Sequence, residues 1–171
     1  VGEHLGMTMV AEASLRANDV RLRRLAFEMS GYHGRELELL DRTAARWSVA
    51  PARRFPGSIC TADLADLGTR DGTDYDVRWL HLMIHHHHGA VALAGREIRA
   101  GDDATLVATA TSVRRVQRDQ IAEMRQLLVA LGDTDRSTTV ASCGPPVRSD
   151  RTEGPHEHHG SITSGPGAGG G

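Results

Sequence analysis

The sequence predicts an all-α fold, a ferritin-like four-helix bundle made of two helical hairpins joined by one long crossover. Three observations predict it. Apolar residues recur at three- or four-residue spacing over four stretches. Turn-forming clusters at Asn18-Asp19 and Gly101-Asp102-Asp103 split those stretches into two close pairs. No segment alternates polar and apolar residues long enough to argue for a sheet.

The first helix carries Leu5, Met9 and Leu15 and ends at Asn18-Asp19. The second carries Leu22, Leu25, Met29, Leu37, Leu40 and Ala44. From Ser48 to Gly72 the period vanishes, and Pro51, Pro56, Gly57, Gly68 and Gly72 mark a connection. Within it Thr61-Ala62-Asp63-Leu64 reads as an N-capped single turn. Thr73 or Asp74 caps the third helix, which runs through Trp79, Leu80, Met83, Ala90, Leu93 and Ile98. Tyr75 and Trp79 read as its core anchors. The fourth runs through Leu106, Ala110, Val113, Gln117, Ile121, Met124, Leu128 and Leu131, with Gly132 as its stop. The predicted organisation is a bundle over 1–132, with repeats near 1–47 and 73–131 and a linker at 48–72. A Gly-, Pro- and His-containing tail over 133–171 reads as disordered.

An internal match supports the two hairpins. A shift of 83 places His4 on His87, Gly6 on Gly89, Ala11 on Ala94, Arg16 on Arg99, Ala17 on Ala100 and Asp19 on Asp102. This is the pattern of a duplicated hairpin, although two amphipathic helices can also match by chance.

Composition narrows the function. The 171 residues hold 20 basic side chains, all arginine, and 22 acidic ones, a net charge of −2. Binding to nucleic acid or membrane by bulk charge is thereby excluded. No stretch approaches the length of a membrane span, and no basic-then-apolar leader opens the chain. The helical pattern already present at Val1 suggests truncation of a longer protein. Cys60 and Cys143 form no CxxC zinc pattern and pair only if the tail folds back. Nothing resembles a phosphate loop or a nucleophilic triad, so no enzyme is expected.

The ten histidines depart furthest from ordinary usage. In an antiparallel hairpin, residues equidistant from the turn share a level. His4 and His33 are thus level in the first hairpin, with Glu36 one turn beyond His33. His86 and His87 are level with Gln117 and Arg118 in the second, with Gln120 one turn on. Helical rotation places His86 and His87 beside the buried stripe of Met83, Ala90 and Leu93, and turns His85 and His88 outward. Neutral imidazoles suit copper, zinc and nickel, and the thioethers of Met83 and Met124 narrow the choice towards Cu(I). The same set also reads as core-edge histidines hydrogen-bonded to Gln117 and Gln120. Met7, Met9 and Met29 read as core filler, and His156, His158 and His159 as a second possible grip or a solvated tract.

The segment Asp76 to Ala90, with Trp79, Met83-Ile84, His86-His87 and Ala90, resembles the D-x-x-F-x-x-x-M-I-x-H-H-x-x-A signature of the domain of unknown function family 305. Ala110 to Met124 is similar to its second block, A-x-x-I-x-x-x-Q-x-x-E-I-x-x-M. The resemblance spans about residues 1 to 131 and implies a ferritin-like bundle, usually exported or lipid-anchored in bacteria and in some members associated with copper. By this resemblance the paired histidines are His86 and His87 and the glutamine is Gln117. Gln120 stands where the family has an acid, and Leu93 replaces a usual methionine. The expected function is an extracytoplasmic copper-binding bundle, a buffer or carrier, with His86, His87, Gln117, Gln120, His33, Glu36, His4 and Met83 as the metal-site residues. A metal ion is the expected partner, and a homo-oligomer is compatible with it. The competing readings are a di-iron oxidase, which lacks the facing acids it needs, and a structural bundle with a pH-responsive histidine layer.

Overall fold

The computed structural model describes residues 2–50 and 55–133, with side chains from residue 6 onward. Helices α1 (Gly2–Arg16) and α2 (Val20–Arg46) form the first hairpin, and α4 (Gly72–Ala100) and α5 (Ala104–Ala130) the second. The crossover between them contains α3 (Thr61–Gly68), two turns of helix where the sequence suggests one. No strand occurs among the described residues.

The turns use the chemistry expected of them. Asp19 caps α2 by accepting from the Arg21 N–H, and Asp103 caps α5 by accepting from Thr105 and Leu106. Gly132 closes α5 at φ +83°, with the Asp133 N–H bonded back to the Leu128 carbonyl. The N-cap of α4 is Asp71 rather than Thr73 or Asp74, so the helix starts two to three residues early.

Two buried groups of α4 join the hairpins. Asp76 is fully buried, and its carboxylate accepts from the Asn18 and Asp19 N–H groups at 2.9 and 2.7 Å. Trp79, one turn later, donates its indole N–H to the Met9 carbonyl at 3.0 Å. The i, i+3 acid and aromatic of the motif therefore fix the α1–α2 turn against the start of α4. Arg16 strengthens the same end by donating to the Gly68 and Arg70 carbonyls and to Asp71 while lying over the Tyr75 ring. As expected, Tyr75 and Trp79 are buried in the core that α1, α2, α4 and α5 share. Leu15, in contrast, is 86% exposed, and Leu40 is largely exposed. Leu15 lies on the outer side of α1, although it fits the three-or-four spacing.

Candidate metal centre

At the middle of the bundle three imidazoles meet, His33 from α2 and His86 and His87 from α4, all buried. The His87 ring centroid lies 5.3 Å from that of His33 and 5.9 Å from that of His86. The rotational argument for α4 holds, since His85 is half-buried and His88 exposed beside Arg125. Gln117 from α5 is buried in the same region. Met83 and Met29 each precede a cluster histidine by one turn, and with Met124 they are wholly buried in the core.

Hydrogen bonds orient the two rings of α4. The His86 Nδ1–H donates to the Gly57 carbonyl at 3.2 Å, so the lone pair sits on Nε2, which faces α1 at Gly6. A Cβ at Gly6 would stand 3.1 Å from that nitrogen. His87 Nε2 bonds to Gln120 Oε1 at 2.9 Å, and the ring also bonds to the Met83 carbonyl of its own helix. Gln117 Oε1 is buried without a hydrogen-bond partner. An unpartnered buried acceptor is costly, and here it leaves an oxygen available to a ligand. The donor set of imidazole nitrogen, amide oxygen and nearby thioether fits a soft ion.

In the second hairpin His87 bonds to Gln120, one of the two glutamines expected beside the paired histidines, one turn from Gln117. Leu93 is half-buried and lines a cavity of about 240 Å³ next to the cluster, with Glu36, Ala90, Val113 and Glu97 among its walls. Glu36 thus stands at a cavity wall, half-buried. His4 lies on α1, but its side chain falls outside the described residues, as do Cys143 and the histidines of the tail. Among the described residues, no group of three His, Cys, Asp or Glu side chains is arranged to hold a metal ion.

The crossover contributes parts of the site that sequence reasoning missed. Gly57, at φ +89°, lies against the α4 backbone at Gly89, and a Cβ at Gly89 would fall 1.5 Å from the Pro56 carbonyl oxygen. This approach brings the Gly57 carbonyl to His86 and sets the Phe55 ring edge-on to it, with centroids 5.5 Å apart. The available signal was the Gly6–Gly89 identity in the repeat. Both are helix surfaces cleared for a neighbour, one for the His86 ring and the other for the crossover.

Burial, followed by the like charges of His33 and His86, holds His87 well below the usual imidazole range. Burial lowers His85 and His88 too. A depressed folded-state value means that the unfolded chain binds more protons just below pH 6.5. The stability contribution is therefore complete above that pH and declines as pH falls towards the folded values. The decline is at most about 1.4 kcal/mol per pH unit for His87 and smaller for His85 and His88, which solvent screens. Asp19, Asp66 and Asp103 are lowered instead, Asp19 to about 2, so their contributions fade only in stronger acid, below the ordinary carboxylate range. Urea unfolding of metal-free protein should show lower stability at pH 5.5 than at 7.5, and His87→Met should reduce the difference. Equal pH dependence in both proteins would contradict this assignment.

Comparison with known proteins follows the same lines. The family model for the domain of unknown function DUF305 matches residues 3–128. A crystal structure of a DUF305 protein of Streptomyces coelicolor, to which secretion is ascribed, is similar with a TM-score of 0.70 and 23% identity, covering 77% of this chain and 87% of that one. A DUF305 fragment of Deinococcus radiodurans gives 0.67 and 22%, over 75% and 89%. CopM in its Cu(I)-bound form gives 0.65 and 21%, over 75% and 88%, and CopM is also known with Ag and with Cu(II) bound. No curated protein matches the chain. No described helix is long and apolar enough to cross a membrane.

Proposed function

The chain belongs to the DUF305 family, and from that membership and its buried imidazole cluster we propose that it is an extracytoplasmic copper-binding bundle, a buffer or carrier rather than an enzyme. The observation that carries this reading is the pair His86 and His87. The ring of His86 bonds to the Gly57 carbonyl and that of His87 to Gln120 Oε1, so both imidazoles are held in place inside the bundle. Held neutral by burial, the His87 ring offers a nitrogen donor without first losing a proton. Gln117 and Met83 supply the nearest additional donor types, and His33 completes the ring cluster. The likeness to CopM supports copper as the cargo. Residence outside the cytoplasm is supported by the likeness to a DUF305 protein to which secretion is ascribed.

Copper would be bound by His86 and His87, with His33, Gln117 and Met83 around them and His4, Gln120 and Glu36 as the remaining candidates. Titration of the full chain with Cu(I) against a competing chelator tests this. His86→Ala with His87→Ala should weaken binding about a hundredfold or more, while equal and weak binding by both proteins would discard the reading. A metal-free bundle whose histidine layer loosens in acid is the second reading. The depressed His87 and the lack of a three-residue ligand group among the described residues favour it. Unchanged thermal stability on adding Cu(I) would select it, since a ligand that binds only the folded state must raise the unfolding temperature.

A further inference from the structure

Between the imidazole layer and the Gly101 turn, the cavity of about 240 Å³ forms a cleft walled by α2, α4 and α5. On each helix its wall begins one turn from the cluster. Glu36 follows His33, Ala90 follows His87, and Val113 precedes Gln117 on the antiparallel α5. Space is left there because α4 and α5 present Ala90, Ala94 and Ala110. Ala94, Ala110 and Val113 form a small apolar group of their own, apart from the main core. Larger side chains would have gained dispersion contacts that these alanines forgo. Clefts of this kind between bundle helices, mostly apolar with a few polar groups, suit small organic molecules.

The polar side chains of the wall decide what kind of molecule. All three of them accept hydrogen bonds. Glu36 and Glu97 are half-buried carboxylates, on α2 and α4 respectively. Thr109 gives its hydroxyl hydrogen to the Thr105 carbonyl at 2.8 Å, so its oxygen offers only lone pairs. Among the described residues no basic side chain lines the cleft. Arg46, near the Gly101 end of α2, is taken up by Asp103 at 3.0 Å. A matching ligand must therefore donate hydrogen bonds and carry positive charge, while an anion is repelled by both carboxylates. A bare metal ion is a poor match, since the described residues contain no group of three His, Cys, Asp or Glu side chains that could hold one. Size sets the apolar part. A dry cavity of about 150 Å³ holds benzene, so the larger cleft takes a ring with a short arm.

We propose that this cleft is a binding site for a small organic ammonium ion, a primary amine on a compact apolar body. The wall carboxylates hold the ammonium group, and the body lies against Leu93, Ala94, Ala110 and Val113. This site goes beyond the copper reading and shares only Glu36 with it, so neither depends on the other.

The probe is 2-phenylethylamine, with 2-phenylethanol as its uncharged counterpart, each titrated into the metal-free full chain at neutral pH, where the amine is protonated. Amide NMR shifts locate the binding, and their saturation gives the affinity. The amine should perturb the amides around Glu36, Leu93 and Ala110 and bind about tenfold more tightly than the alcohol. Glu97→Gln should weaken the amine about fivefold and leave the alcohol within about twofold. Ala110→Leu fills the cleft and should abolish binding of both compounds. Unfolding midpoints show whether that variant is folded, and Ala94→Leu fills the cleft from α4 if it is not. Equal affinity for amine and alcohol, amine shifts confined to other surfaces, unchanged amine affinity in Glu97→Gln, or amine binding retained by a folded cleft-filling variant would each overturn the proposal.

Discussion

Replacing Asp76 with alanine should destabilise the protein by about 3–5 kcal/mol, through loss of two backbone hydrogen bonds rather than loss of packing. The carboxylate is wholly buried, and each oxygen accepts one N–H, from Asn18 and from Asp19, at the start of α2. Those donors lie at a helix N-terminus, where the partial positive charge of the helix end favours an anion. Alanine leaves both N–H groups without acceptors, at about 1–3 kcal/mol each, and frees the α1–α2 turn from α4. The conservative change Asp76→Asn keeps one acceptor oxygen at most and should recover about half the loss. Chemical denaturation measures the effect, and amide exchange at Asn18 and Asp19 locates it. A loss below about 1 kcal/mol would show that the turn is held by Trp79 and Arg16 without the carboxylate.

The second large effect concerns a pair of glycines that local helix propensity cannot distinguish. Gly34 and Gly89 both lie inside long helices, where glycine costs up to about 1 kcal/mol relative to alanine. Nothing lies within 4 Å of a Cβ at Gly34, so Gly34→Ala should stabilise by about that amount. A Cβ at Gly89 would fall 1.5 Å from the Pro56 oxygen and 2.7 Å from the Gly57 Cα. Both are backbone atoms and cannot rotate aside, so the crossover itself must move. Overpacking of this kind costs about 3 kcal/mol or more and outweighs the gain in helix propensity. The two variants should therefore differ by about 3 kcal/mol. Gly89→Ala should also disturb the histidine cluster, because the displaced crossover withdraws the Gly57 carbonyl from His86. Similar stabilities for the two variants would show that the crossover yields without cost.

The organisation of the site was partly legible from α4 alone. Four consecutive histidines on a helix must separate into inner and outer pairs because successive positions turn by about 100°, and the apolar stripe around Met83 assigned His86 and His87 to the inside. His33 was placed by counting from the Asn18-Asp19 turn, and its ring indeed lies beside that of His87. The same count for the second hairpin gave Gln117 with Gln120 one turn on, and it is Gln120 whose side chain reaches His87. Phe55 and Gly57 were read only as parts of a linker, because a segment without periodicity gives no indication of which helix face it crosses.

What the chain's sequence determined by itself was helix content, hairpin pairing, capping at Asp19, Asp103 and Gly132, and the inward pair of imidazoles. All of these follow from local periodicity and from residues within about one turn of each other. What only the tertiary structure decided was the Gly57 carbonyl as the partner of His86, the choice of Gln120 over Gln117 for His87, and the seat of the crossover at Gly89. Those depend on contacts between elements far apart in sequence, where a displacement of an ångström or two makes or breaks a hydrogen bond while leaving the hydrophobic pattern unchanged.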